Sequence, residues 1–194
     1  MGQTSLTSIN LIVESIELKK TDLISMLEEL KNDLSSNQFS IDLISSRMLK
    51  DYKMKDNEVA LVVSYIKNAQ ALKKISDLCD KILRSLKKII IVCEELPEIN
   101  DLLLFCRIVK NIVTQVVIAM SGNNIELAKQ IYSQEDDYNT YIENIKKSSI
   151  DFIKKSLGYT PAYIEIISIT NNLYGMSLLT KDILKNIIEL EKYV

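Results

Sequence analysis

Apolar residues return every three to four positions along almost the whole chain, which is the spacing of one face of an α-helix. Ile9, Ile12, Val13, Ile16, Leu23, Leu27 and Leu30 predict a first helix over about 8–34, with Thr7 or Ser8 as its cap. Ser35, Ser36 and Asn37 predict a loop, followed by a short helix over about 41–52 and a polar turn at 53–57. The stripe Val59, Val62, Ile66, Ala69, Leu72, Ile75, Cys79, Ile82, Leu86, Ile89 and Cys93 predicts a long helix over about 58–95. Such a helix is about 55 Å long at 1.5 Å per residue, and Pro97 ends it. A fourth helix is predicted over about 98–121, stopped by Gly122 and Asn123. A fifth is predicted over about 124–157, and a last one from Pro161 to about 193.

Long helices joined by short turns lie antiparallel, so six of them form two three-helix units. A repeat points the same way. Ile66, Leu72, Ile75, Ser76, Leu78, Ile82, Leu83 and Leu86 match Ile167, Leu173, Met176, Ser177, Leu179, Ile183, Leu184 and Ile187 at a constant offset of 101 residues. The expected fold is all-α, two tandem three-helix bundles over about 8–96 and 98–193.

Composition narrows the chemistry. Four Gly and two Pro in 194 residues leave too few turn signals for an all-β fold. The chain has no His and no Trp, which removes the usual base of hydrolase triads and His-ligated metal sites. An enzyme is not expected. The net charge of −2 argues against nucleic-acid binding. Cys79 and Cys93, fourteen residues apart on one helix, sit too far from each other for a disulfide. Together with Cys106 they read as reduced, buried thiols, and nothing at the N-terminus reads as a targeting segment. The expected compartment is the cytoplasm. The most apolar window, 102–120, carries Arg107, Lys110, Asn111 and Gln115, which suits a helix buried on a wide face.

Two segments carry a family likeness. Gly122-Asn-Asn-Ile-Glu-Leu-Ala-Lys-Gln-Ile-Tyr-Ser-Gln-Glu-Asp-Asp137 resembles the start of the second middle helix of the PhoU family, regulators of bacterial phosphate uptake. Tyr65-Ile-Lys-Asn-Ala-Gln-Ala-Leu-Lys-Lys-Ile-Ser-Asp77 resembles the family's third helix, with a second copy at Leu173. The resemblance implies a non-enzymatic negative regulator of phosphate uptake and signalling. It implies as partners the ATPase of the phosphate ABC transporter and a sensor histidine kinase, with proximity to the membrane only through them. A homodimer is the default for such a bundle.

Family members carry acid-x-x-x-acid pairs, which place two carboxylates on one helix face where a hard cation can sit. The resemblance leaves Asp77 and Glu135 as the candidate ligands of a divalent metal or iron. Their pairs are broken by Lys73 and Asn139, and both acids of the second copy by Tyr174 and Leu178, so no cofactor is expected. Lys74 and Lys81 flank Asp77 at i−3 and i+4, the spacing of a surface ion pair. Glu135 falls in the otherwise apolar row Ala128, Ile131, Tyr138, Ile142, Ile145, where a carboxylate needs a partner.

The third helix is basic. Lys67, Lys73, Lys74, Lys81, Arg84, Lys87 and Lys88 face only Asp77 and Asp80, a local balance of seven minus two, or +5. Lys73, Lys74, Lys81, Arg84, Lys87 and Lys88 are the candidate docking surface for an acidic partner. The same residues leave a membrane-surface-associating bundle as an alternative, beside a carboxylate-based metal protein.

Overall fold

A computed structural model describes residues 1–18, 24–50, 53–92, 100–134, 138–155 and 157–193. Among these residues every regular element is helical: α1 (Gly2–Leu18), α2 (Ile24–Met48), α3 (Asp56–Val92), α4 (Asn100–Ser121), α5 (Ile125–Ser133), α6 (Tyr138–Lys155) and α7 (Thr160–Glu189). Short 3₁₀ turns precede and follow α7, at Leu157–Tyr159 and Leu190–Tyr193.

Two boundaries differ from the pattern-based expectation. The chain changes helix between 18 and 24, and Ser35, Ser36 and Asn37 lie inside α2 rather than in a loop. The Ser-rich stretch has no Gly or Pro, and Ser40 Oγ donates to the Ser36 carbonyl at 3.0 Å, which satisfies that hydroxyl on the helix itself. The expected fifth helix is likewise two. Gln134 turns extended (φ −74°, ψ 103°) and closes α5 with its N–H on the Ile131 carbonyl. In sequence, Asp136 and Asp137 immediately precede α6, where acids favour a helix start.

The turn at 122–124 shows how one helix stops and the next starts. The left-handed residue is Asn123 (φ 46°), not Gly122. Asn124 N–H reaches the Ala119 carbonyl at 2.9 Å and Asn123 N–H the Met120 carbonyl at 3.3 Å, the paired bonds of a Schellman motif. The Asn124 side chain then caps α5, accepting from Leu127 N–H at 2.9 Å.

Helix contacts fall into three sets. α1, α2 and α3 pack on one another; α4 packs with α5, α6 and α7; and the two sets join through α3 against α7 and α1 against α4. The α3–α7 pairing is the most extensive in the molecule and is antiparallel. Near one end Lys88 Nζ meets Glu165 Oε1 at 2.7 Å, and near the other Asn186 Nδ2 donates to Asn68 Oδ1 at 2.9 Å. Midway between them Gly175 faces Leu78 so closely that a Cβ there would lie 3.3 Å from Leu78 Cδ1.

One continuous core runs through both sets, from Ile9, Ile12 and Val13 on α1 to Ile183, Leu184 and Ile187 on α7. The eight residue pairs related by the 101-residue offset match in burial without exception: Leu72 and Leu173, Ile75 and Met176, Ser76 and Ser177, Ile82 and Ile183, Leu83 and Leu184, and Leu86 and Ile187 are buried, while Ile66 and Ile167, and Leu78 and Leu179, are half-buried. Phe105, fully buried on α4, lies parallel to the Tyr141 ring at 6.1 Å and tilted against Tyr138 at 6.2 Å. Small hydroxyls thread the core. Ser5 Oγ donates to the Leu72 carbonyl at 3.2 Å, and Ser8 and Ser76 share a hydrogen bond at 3.5 Å. By length and composition α4 could also cross a membrane, but half of its most apolar window is buried within the fold.

Candidate partner-docking surface

A seven-residue step turns a helix by nearly two whole turns, so residues at that spacing stack along one stripe. Lys67, Lys74, Lys81 and Lys88 follow that spacing on α3, about 10.5 Å apart, and all four are exposed. Arg84 and Lys87 are exposed beside them, whereas Lys73 is half-buried and belongs to the flank of the stripe.

Among the described residues, Arg84 and Lys88 are engaged within the chain. Arg84 grips Asp80 on its own helix, Nη2 to Oδ2 at 3.0 Å and Nε to Oδ1 at 3.2 Å. Lys88 reaches across to Glu165 on α7. Burial raises the Glu165 pKa, but the hydrogen bonds from Lys88 and Ser85 and the Lys88 charge outweigh it and hold the carboxyl below its ordinary value. Glu165 is the residue that sequence reasoning missed. Its partner lies 77 positions away, so no local spacing reveals it.

Asp77 is half-buried on the same stripe, between Lys74 and Lys81. Among the described residues it forms no ion pair; the arginine two turns further on pairs with Asp80 instead. Glu135 lies outside the described residues. Of the positions that break the acidic pairs, Asn139 and Leu178 are exposed, and Lys73 and Tyr174 are half-buried. No three His, Cys, Asp or Glu side chains gather to hold a metal ion among the described residues.

The thiols are inert by environment. Cys79 and Cys106 are free and fully buried. Burial pushes both pKa values far above the ordinary thiol range, and for Cys79 the nearby Cys106 adds to the shift. Cys93 lies outside the described residues.

A second surface feature was not legible in the sequence. A cleft of about 940 Å³ opens between the second half of α2 and the first half of α3. Ile41, Ile44 and Met48 line it from α2, and Leu61, Val62, Tyr65, Ala69 and Leu72 from α3. Met1, Gly2 and Met120 form its floor, and Lys53, Met54 and Glu58 its end at the α2–α3 turn.

The described residues form a helical scaffold with buried thiols and an exposed cationic stripe along α3. The family model described as the PhoU domain matches residues 102–187. Two solved structures share the fold across the whole chain. PhoU from Pseudomonas aeruginosa aligns with a TM-score of 0.92 at 15% identity, covering 100% of this chain and 93% of that one. The phosphate transport system regulatory protein PhoU from Streptococcus pneumoniae aligns with a TM-score of 0.85 at 16% identity, covering 100% of this chain and 90% of that one. No curated protein matches the sequence. The PhoU-domain match spans 86 of the 194 residues, and the two solved structures share the fold over the whole chain.

Proposed function

We propose that this protein regulates phosphate transport by binding other proteins, without catalysis of its own. The observation that carries the reading is the PhoU-domain match over 102–187, set in a fold that follows a phosphate transport system regulatory protein from end to end. In this reading the protein acts in the cytoplasm, as a homodimer, and restrains phosphate uptake. It does so through the ATPase of the phosphate ABC transporter and a sensor histidine kinase. The Lys74, Lys81, Arg84 and Lys87 face of α3 supplies the docking surface for an acidic partner, with Lys73 at its edge. Exposed cations at regular spacing steer an acidic surface towards the stripe and fix its orientation on arrival.

Affinity capture from the native host, in phosphate-rich and phosphate-starved cells, tests the proposal. Recovery of the transporter ATPase or the kinase, with a yield that follows phosphate, is the expected result. The triple variant K74E/K81E/R84E keeps the fold and loses at least one of the two. Recovery of neither partner in either condition overturns the regulatory reading. Recovery that survives the triple variant overturns only the assignment of the surface.

A further inference from the structure

The first unit has the residues of a closed bundle and the geometry of an open one. The 101-residue offset that relates α3 to α7 also relates α1 to α4: Ser5, Ser8, Ile12 and Ser15 are buried, and so are Cys106, Val109, Val113 and Val116. Carried through the middle helix, the same offset sets Asn37, Ile41, Ile44 and Met48 on α2 beside Tyr138, Ile142, Ile145 and Ser149 on α6. The four α6 residues are buried. Their four α2 counterparts line the cleft, with Ile44 55% and Met48 46% exposed. The facing wall differs in the same way. On α3 Leu61 is half-buried and Tyr65 is 41% exposed, whereas their counterparts on α7, Ala162 and Ile166, are buried. A row that covers its neighbour in one copy stands off from it in the other.

Two local differences account for this. In the second unit the row is pinned by rings. Phe105 lies parallel to Tyr141 and tilted against Tyr138, and Lys181 Nζ sits 5.8 Å from the Tyr138 ring centroid. At the same offset the first unit has Thr4, Ser40, Asn37 and Asp80, with no ring among them. The second difference is the break. The middle element of the second unit changes helix between Ser133 and Tyr138, and the counterparts of that stretch, 32–37, run on through α2. They include Ser35, Ser36 and Asn37, weak helix formers, and Ser40 Oγ donates to the Ser36 carbonyl, a bond that commonly bends a helix. The first unit thus keeps the bending point and the apolar row and lacks the aromatic lock.

We propose that α2 is a strap that bends at Ser35–Asn37 and closes its second half onto α3, seating Ile41, Ile44 and Met48 on Leu61, Val62 and Tyr65, in exchange with the open form. The landing is fixed in place: Asn123 Nδ2 donates to Tyr65 Oη at 2.9 Å and holds that ring on the wall. Closure takes both apolar walls out of water, and without the rings it stays reversible. The movement is independent of the docking stripe and of the regulatory role.

Nitroxide labels at Ser46→Cys and Gln70→Cys, both exposed positions, report the α2–α3 separation in the full chain by double electron–electron resonance, in a Cys93→Ser background with Cys79 and Cys106 buried. Two distances are expected, one for the open cleft and one distinctly shorter. Asn37→Tyr supplies the ring that Tyr138 provides in the second unit and raises the shorter population roughly threefold or more. Ser35→Ala combined with Ser36→Ala stiffens the helix at the bend and lowers that population roughly threefold to tenfold. Ile44→Asp puts a charge on the closing face and lowers it roughly tenfold or more. The alanine pair favours helix, so it tests the bend without threatening the fold. A single distance that none of these variants moves overturns the proposal, as does a continuous spread with no distinct shorter distance. A two-distance ratio indifferent to the alanine pair and to Ile44→Asp, in variants with native circular dichroism, also overturns it.

Discussion

The two three-helix units share an architecture and differ in how their middle helix is seated. In the second unit the middle element is broken between Ser133 and Tyr138, and both pieces bury an apolar row: Ala128 and Ile131 on α5, Tyr138, Ile142 and Ile145 on α6. In the first unit α2 runs unbroken for 25 residues, and from position 35 to its end only Ser45 is buried. A break lets a helix change direction and stay on its neighbours. The unbroken helix is about 37 Å long, and its second half borders the cleft. Equal topology thus does not bring equal burial of the middle helix.

The sharpest way to break this comparison is a pair of phenylalanines. Phe105→Ala, which removes a fully buried ring stacked on Tyr141, should cost about 3–5 kcal/mol in urea unfolding. Phe39→Ala, at a site 70% exposed on α2, should change stability by less than about 0.5 kcal/mol. Equal losses would mean that the first unit is as tightly packed as the second. The repeat-related leucines sharpen the contrast further. Leu72 borders the cleft and Leu173 does not, so Leu173→Ala should cost about 1 kcal/mol more than Leu72→Ala. A void in the closed unit stays empty, whereas one beside the cleft opens to water.

Smaller effects test the seam between the units. Glu165→Gln loses the charge partner of a largely exposed Lys88 and should cost roughly 0.5 kcal/mol at neutral pH. The Glu165 pKa is lowered in the folded chain, so its contribution is present above the unfolded carboxyl pKa and fades as pH falls through the folded value. The wild type should therefore lose stability on acidification below about pH 4.5 more steeply than Glu165→Gln, measured by thermal unfolding across that range. Gly175→Ala should change little. The gain in helix propensity, about 1 kcal/mol, meets a Cβ contact of 3.3 Å with Leu78, a half-buried side chain able to give way.

What the sequence revealed follows from which forces are local. The period of α3, α4 and α7 is written in their own residues, and so were their burial patterns, down to Ser76 and Ser177. The pair Asp80–Arg84 has ordinary i,i+4 spacing, yet the sequence pattern points to Asp77 as the paired acid, because the same helix row offers several cations at that spacing. The end of α1 at Leu18 carries no Gly or Pro nearby, and the apolar period on both sides hides it. The Lys88–Glu165 pair and the cleft depend on how separate helices are angled, which no single segment encodes. Of the two metal candidates, Asp77 is placed among lysines and Glu135 lies outside the described residues.

The α3–α7 seam also sets an order of events. Asn68 and Asn186, hydrogen-bonded across it, are 118 positions apart. At synthesis rates of about 5–20 residues per second, the stretch between the end of α3 at Val92 and the start of α7 at Thr160 takes roughly 3–14 s to make. For that interval the apolar side of a helix some 55 Å long has been made and its cover has not. The nascent chain must spend those seconds protected by α1, α2 or a chaperone, and the earlier half of the molecule is the one exposed to aggregation while it waits.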